Sequence, residues 1–235
     1  MQKFLKSLFQ EEKLASVSVD DAQVIQAFVD NPANPFLVSF PRTGSHWLRM
    51  VMELYFERPS LVRVFYYPDR KDYLTLHTHD MDLDVARQSV IYLYREPVDT
   101  VYSQMSYEKD DLDDPGRIRH WSSLYGRHLE KWLFTETFTA RKTVIRYDRL
   151  RDTPEAEFAR ICAHFGQTLD ADRLVEALEG VTREKVREKT PHDPGVIRLG
   201  SGYEDTRRAF RQRHAGLVWE TILEGRARLR GAFEP

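Results

Sequence analysis

Phe36-Leu37-Val38-Ser39-Phe40 is a short apolar run of strand-forming residues, and Pro41-Arg42-Thr43-Gly44 breaks it. The chain then passes straight into Ser45-His46-Trp47-Leu48-Arg49-Met50-Val51-Met52-Glu53-Leu54-Tyr55-Phe56, which has helical spacing and an N-cap at its start. The pattern is strand, tight loop, helix. Such a loop presents backbone N–H groups with no helical partner and the positive end of the helix dipole, which together suit a phosphate. Gly44 allows close backbone approach to an anion, Arg42 adds a fixed cation and Ser45 a hydroxyl donor. The loop G-x-x-x-x-G-K-[ST] of nucleotide triphosphatases is missing, because there is one Gly and no Lys after it. An ATP or GTP hydrolase is disfavoured, although the architecture is related.

Around this unit, Tyr73–His79, Ser89–Arg95 and Lys142–Asp148 read as three more strands. Helices are predicted over Asp20–Asp30, from Val98 onward behind Pro97, and over Pro154–His164 with Gly166 as its stop. Gln104 to Trp132 reads as helical but irregular, with an acidic run from Glu108 to Asp114, and everything after Asp170 reads as helix or loop. Apolar strands alternating with helices predict a three-layer α/β/α fold with a mainly parallel, buried central sheet. One domain over 1–235 is expected: an N-terminal helical segment (1–34), an α/β core (35–166) and a helical C-terminal part (167–235).

Composition fits a packed globular chain. Of 235 residues, 41% are hydrophobic and 31% charged, and 35 Lys+Arg against 37 Asp+Glu leave a net charge of −2. A strongly basic nucleic-acid coat is excluded as the default, whereas a local basic pocket is not. The single Cys162, within the apolar run Ala159, Ile161, Cys162, Phe165, excludes a disulfide framework and reads as a buried thiol. No stretch approaches a membrane span, and Met1–Glu12 reads as a short amphipathic helix rather than a signal peptide, so a cytoplasmic protein without stable membrane insertion is expected.

Phe40-Pro41-Arg42-Thr43-Gly44-Ser45-His46-Trp47 resembles the Y-P-K-S-G-T-T-W loop of sulfotransferases that use 3′-phosphoadenosine 5′-phosphosulfate (PAPS). In that family the loop holds the 5′-phosphosulfate, which implies donor-binding roles for Arg42, Thr43, Gly44, Ser45, His46 and Trp47. Arg95-Glu96-Pro97-Val98-Asp99-Thr100-Val101-Tyr102-Ser103 is similar to the second family signature, an Arg at a strand end and a Ser eight residues on, which hold the 3′-phosphate. Both residues can converge on one dianion by charge-assisted hydrogen bonds. Val144-Ile145-Arg146-Tyr147-Asp148-Arg149-Leu150 resembles the L-x-Y-E-D-L stretch whose Tyr lies by the adenine, and Arg198-Leu199-Gly200-Ser201-Gly202-Tyr203 resembles the R-K-G-x-x-G loop that closes over the 3′-phosphate. The resemblance covers about Pro35 to Arg213 and implies the P-loop-kinase-like sulfotransferase fold. Arg42 and His46 depart from the family's Lys and second Thr, and Arg183 stands where an aromatic usually meets the adenine.

Sulfuryl transfer to a hydroxyl or amine needs a base, in-line placement and neutralisation of the leaving oxygen. Leu76-His77-Thr78-His79-Asp80 resembles the family's K-T-H, which makes His79 the base and puts His77 in place of the Lys, as a charge or orienting partner. Arg42 supplies charge to the bridging oxygen. His77 and His79, two apart on a strand, share a face. With Asp80 they also outline a metal set, but the other motifs give this strand end a role without one, so no metal is expected.

The expected function is transfer of a sulfuryl group from PAPS to a small-molecule acceptor. The alternatives are a P-loop-type nucleotide or small-molecule kinase using ATP, and a non-catalytic nucleotide-binding protein. The acceptor side is least legible. Glu108–Asp114 reads as a solvated loop or as a bias toward a cationic acceptor, and Trp121, Tyr125, His128 and Trp132 as a core face or a pocket wall. The chain is short for the family, so the acceptor loops should be short and the site open, or completed by a second copy in a homo-oligomer.

Overall fold

The computed structural model describes residues 15–135, 139–193, 195–196 and 201–234. The central sheet holds β2 (Phe36–Ser39), β4 (Leu76–Thr78), β5 (Ser89–Tyr94) and β6 (Arg141–Arg146), all parallel, in the order β4-β2-β5-β6. A two-stranded antiparallel pair, β1 (Val17–Ser18) with β3 (Arg63–Val64), was not foreseen; at two residues each these strands carry no readable alternation. The helices are α1 (Ala22–Asp30), α2 (Ser45–Phe56), α3 (Pro97–Glu108), α4 (Pro115–Phe134), α5 (Tyr147–Asp152), α6 (Pro154–His164), α7 (Ala171–Glu179), α8 (Arg183–Lys189) and α9 (Ser201–Leu223). Among the described residues no helix is long and apolar enough to cross a membrane, and Met1–Glu12 lies outside them.

Side-chain alternation along the strands builds the three layers. Val38, Val90, Tyr92 and Tyr94 point to one face, against Val101, Met105, Tyr125, Trp132, Phe210 and Val218 of α3, α4 and α9. Leu37, Ile91, Leu93 and Ile145 point to the other, against Leu48, Met52, Tyr55, Phe158 and Ile161 of α2 and α6. Burying each such side chain contributes roughly 1.5–3 kcal/mol. Cys162 is part of this second core, a buried thiol as expected.

Two strands are shorter than predicted. The run from Tyr73 joins the sheet only at Leu76, because Leu74 and Thr75 pair instead with the 59–61 segment: Leu74 N–H donates to the Pro59 carbonyl and Leu61 N–H to that of Thr75, each at 2.8 Å. β6 stops at Arg146 since Tyr147 already opens α5. The irregular stretch resolves into two helices. α3 ends where Lys109 takes a left-handed φ of 62°, and Asp114 caps α4 by accepting from Gly116 and Arg117 N–H at 2.7 and 3.4 Å.

The chain leaves β2 toward β4 on one side and returns to β5 on the other. β2 is therefore a switch point, where the loops after neighbouring strands diverge and leave a crevice. Tyr125 of α4 braces its edge. The buried phenol donates to the Arg95 carbonyl at 2.6 Å and accepts from Arg95 N–H at 3.0 Å, and burial pushes its pKa up. Tyr125→Phe strands both groups and should cost about 1–3 kcal/mol, read as a lower urea midpoint at unchanged slope. Parent-like stability would mean that water replaces the phenol there.

Candidate active site

The loops after all four parallel strands enclose a cavity of about 360 Å³. Arg42, Gly44, Ser45, His46 and Trp47 line it from the loop after β2, His79 from the end of β4, Arg95 from the end of β5, Ser103 from α3 and Tyr147 from the end of β6. These are residues that the sequence motifs had singled out separately, and the fold brings them to one place.

Gly44 has φ 96°, and a Cβ there would fall 2.5 Å from Tyr147 Cδ2, so only glycine fits under that ring. α2 begins immediately after it, which leaves the N–H groups of Ser45, His46 and Trp47 without helical acceptors at the cavity wall. Thr43 does not line the cavity as a donor-binding role would require. Its hydroxyl turns back to the Phe40 carbonyl at 2.8 Å and closes the loop on itself.

Arg95 donates through Nη1 to the Arg42 carbonyl at 3.3 Å, faces Asp99 at 3.6 Å, and lies over the Tyr147 ring at 5.1 Å. Its Nε is buried without a hydrogen-bond partner. Arg42, also left-handed at φ 68°, sends its guanidinium toward α3. Nε donates to Ser103 Oγ at 3.3 Å, and Nη2 to the Gly195 and Val196 carbonyls at 2.8 Å each. Sequence reading put Arg42 with the 5′ end of the donor, apart from Arg95 and Ser103; here the three form one cluster. Trp47 donates its indole N–H to the Val181 carbonyl at 3.2 Å and meets Tyr147 edge-on at 5.9 Å. Arg183, at the start of α8, also lines the cavity.

The histidines divide by role. His79 holds Nδ1 2.8 Å from the Ser39 carbonyl, and since a carbonyl only accepts, Nδ1 carries the proton and Nε2 is left as a base. Burial, aided by Arg49 and Arg42 and opposed by the Ser39 bond, holds its pKa below the ordinary value. His77 shares the face, its ring edge-on to His79 at 4.6 Å, but it does not line the cavity: Nε2 sits 3.0 Å from Ser39 Oγ. His46 lines the wall, edge-on to Phe65 at 6.0 Å, and burial together with Arg49, Arg63 and Arg42 lowers its pKa to about 3.

Asp80 turns away from both histidines. With φ 46°, its buried carboxylate accepts from Lys131 Nζ at 2.7 Å, Trp132 Nε1 at 2.8 Å and Val85 N–H at 2.9 Å. His128 donates Nε2–H to the His79 carbonyl at 2.9 Å, and its Nδ1 accepts from Tyr92 at 3.0 Å. The helix face Tyr125, His128, Trp132 is thus core and support, not pocket wall. No cluster of three or more His, Cys, Asp or Glu able to hold a metal ion occurs among the described residues.

Of the acidic run only Glu108 reaches the cavity. Asp110 binds Arg117 and Trp121, and Asp114 caps α4, so these two serve the α3–α4 joint. Arg198 and Gly200 lie outside the described residues. Gln104, Tyr107, Asp193, Glu204 and Arg207 line the cavity without having been singled out. The spacing of Tyr107 and Glu108 four residues after Ser103 and Gln104 was a usable signal; Asp193 offered none.

Residues 74–220 match the family model of the sulfotransferase domain. No curated protein matches the chain. Among the solved structures that resemble it, two each share 12% identity with it. One is mouse sulfotransferase SULT7A1 complexed with PAP, covering 88% of this chain and 94% of that chain at a TM-score of 0.49. The other is retinol dehydratase in complex with androsterone and the inactive cofactor PAP, covering 81% of each chain at a TM-score of 0.51. The second likeness is one of fold.

Lys131→Met leaves the Asp80 carboxylate buried without its cation and should cost about 3–5 kcal/mol. Chemical denaturation measures it, and a loss under 1 kcal/mol would mean that the N–H donors of Trp132 and Val85 suffice.

Proposed function

Since the chain belongs to the sulfotransferase domain family, matched over more than half of its residues, we propose that it transfers a sulfuryl group from PAPS to a hydroxyl or amine of a small-molecule acceptor, with His79 as base. The observation that supports this best is the His79 tautomer: the Ser39 carbonyl takes the Nδ1 proton and leaves Nε2 as the acceptor at a cavity-lining position. The acceptor oxygen or nitrogen attacks sulfur in line, the sulfur–oxygen bond to the 5′-phosphate breaks, and its electron pair leaves on adenosine 3′,5′-bisphosphate. The acceptor proton passes to His79 Nε2. His77 orients this base through Ser39, whose hydroxyl it contacts and whose carbonyl holds His79.

The N–H groups of Ser45, His46 and Trp47 suit the 5′-phosphosulfate. Arg95, with its unpartnered buried Nε, and Ser103 suit the 3′-phosphate. The resemblance assigns Arg42 to the bridging oxygen, whereas its guanidinium lies beside Ser103 here. Tyr147, Trp47 and Arg183 are placed for the adenine, and the resemblance assigns Arg198 and Gly200 to the loop that closes over the 3′-phosphate. Retinol dehydratase, a neighbour in fold, is complexed with PAP, the bisphosphate left when PAPS has given up its sulfuryl group.

Calorimetry tests the donor. Adenosine 3′,5′-bisphosphate should bind much more tightly than AMP, and Arg95→Ala should remove most of that preference, tenfold or more. Equal affinities for the two nucleotides sink the assignment. Turnover tests the base. His79→Ala should keep bisphosphate affinity and lose about 10²–10⁴ in rate. Only neutral imidazole accepts the proton, so the rate should fall as pH drops through a pKa lying below 6.5. That acid limb should be missing in the variant; a limb that survives there belongs to another group.

A further inference from the structure

One stretch of the cavity wall has a chemistry of its own. Glu108 and Asp193 both line it, and among the described residues neither stands in an ion pair. The other carboxylate lining the cavity is matched: Glu204 meets Arg207 at 2.9 Å. Between the two unmatched carboxylates lies Tyr107, whose hydroxyl donates to Asp193 at 3.1 Å and so offers only its lone pairs to anything else.

Gln104 adds an independent sign. It is 3% exposed, lines the same wall, and has its Nε2 on Glu108 at 2.9 Å. A carboxylate accepts only, so this bond fixes the amide orientation and makes the other atom Oε1. Oε1 is buried and has no hydrogen-bond partner. A buried acceptor left without a donor is costly and calls for one.

The cation packed on this wall is Arg42, 4.8 Å over the Tyr107 ring. Its guanidinium is engaged by Ser103 Oγ and by the Gly195 and Val196 carbonyls, and one positive charge does not balance two carboxylates. The wall therefore keeps a net negative charge: two carboxylates and a phenol oxygen face one cation, and the unpartnered Gln104 Oε1 is buried within it. A primary ammonium, with three N–H donors and one positive charge, answers that set. A neutral alcohol answers one member of it, and a carboxylate is repelled.

We propose that Gln104, Tyr107, Glu108 and Asp193 form a recognition site for a protonated amine carried by the acceptor, so that the enzyme selects amine-bearing acceptors over neutral and acidic ones. The proposal rests on the sulfotransferase reading and deepens it. The sulfuryl group goes to a separate nucleophile on the same molecule, because an amine held as ammonium has no lone pair for attack.

The test uses three phenols of similar shape and different charge: tyramine, 4-ethylphenol and 4-hydroxyphenylacetate. Each is titrated into the full chain loaded with adenosine 3′,5′-bisphosphate, and each is offered as acceptor with PAPS. Tyramine should exceed 4-ethylphenol by tenfold or more in affinity and in kcat/KM, with 4-hydroxyphenylacetate last. Glu108→Gln and Asp193→Asn should each bring the tyramine to 4-ethylphenol ratio toward one while the bisphosphate still binds. Three phenols that bind alike, or all fail to bind, overturn the amine site, as does a ratio unchanged in both variants. With bisphosphate still preferred over AMP, such a result leaves the sulfotransferase reading standing. Loss of that preference in the parent removes the reading and the amine site together.

Discussion

The close approach of the Tyr147 ring to Gly44 sets the donor side of the site. It ties the end of β6 to the loop after β2, across the intervening β5, and leaves no room for a side chain at residue 44. Gly44 can then hold the left-handed turn that starts α2 at once, which is what exposes the N–H groups of the first turn. The same ring carries Arg95 on one side and Trp47 at its edge. The anion donors, the strand-end cation and the aromatic surface are therefore one packed unit. Displacing the ring would move all three.

The part of the site around His79 depends on a different device. A buried ion pair such as Asp80–Lys131 contributes little net stability, because desolvation consumes most of the attraction. What it does supply is geometry. Asp80, strained into the left-handed region, is held by α4 and by Val85 N–H, and His128 of α4 holds the His79 carbonyl. His79, the proposed base, is thus gripped from its backbone on one side and from its ring, by Ser39, on the other. Arg49 supports the local electrostatics, since its buried charge is one of the influences that keep His46, His77 and His79 neutral.

The parallel sheet, the strand-loop-helix unit and the cavity-lining positions of Arg42, Ser45, Arg95, Ser103, His79 and Tyr147 were legible because each follows from local pattern: an apolar run, a breaker, a fixed spacing. What was not legible depends on partners distant in sequence. His77 and His79 look equivalent in the chain, and only the register of β4 on β2, which sets Val38 opposite Thr78, decides that one meets the Ser39 hydroxyl and the other the cavity. Trp132 and His128 carried a correct spacing, but whether that face met the cavity or the core was a matter of how α4 lies on the sheet. Thr43 looked like a donor residue until its hydroxyl found the Phe40 carbonyl three residues back. Asp193 belongs to a segment whose only tie to the site is tertiary, through Tyr107.

The use of arginine at position 42, where the resembling sulfotransferase loop has lysine, follows from the surroundings. A lysine is a compact point charge with three donors on one atom, suited to a single oxygen. Here the side chain has to reach Ser103, two carbonyls of the 195–196 turn and the face of Tyr107 together. A planar fork with five donors meets these directions at once, and its flat face is the part that stacks on a ring. The guanidinium thus joins the donor loop, α3 and the turn after α8 through one group. On the proposed reading the 195–196 carbonyls and a donor anion would draw on the same N–H groups of Arg42, which would couple occupation of the donor site to the position of that turn. Asp193 stands beside this turn, so on the proposed reading the carboxylate that faces the acceptor is positioned together with Arg42.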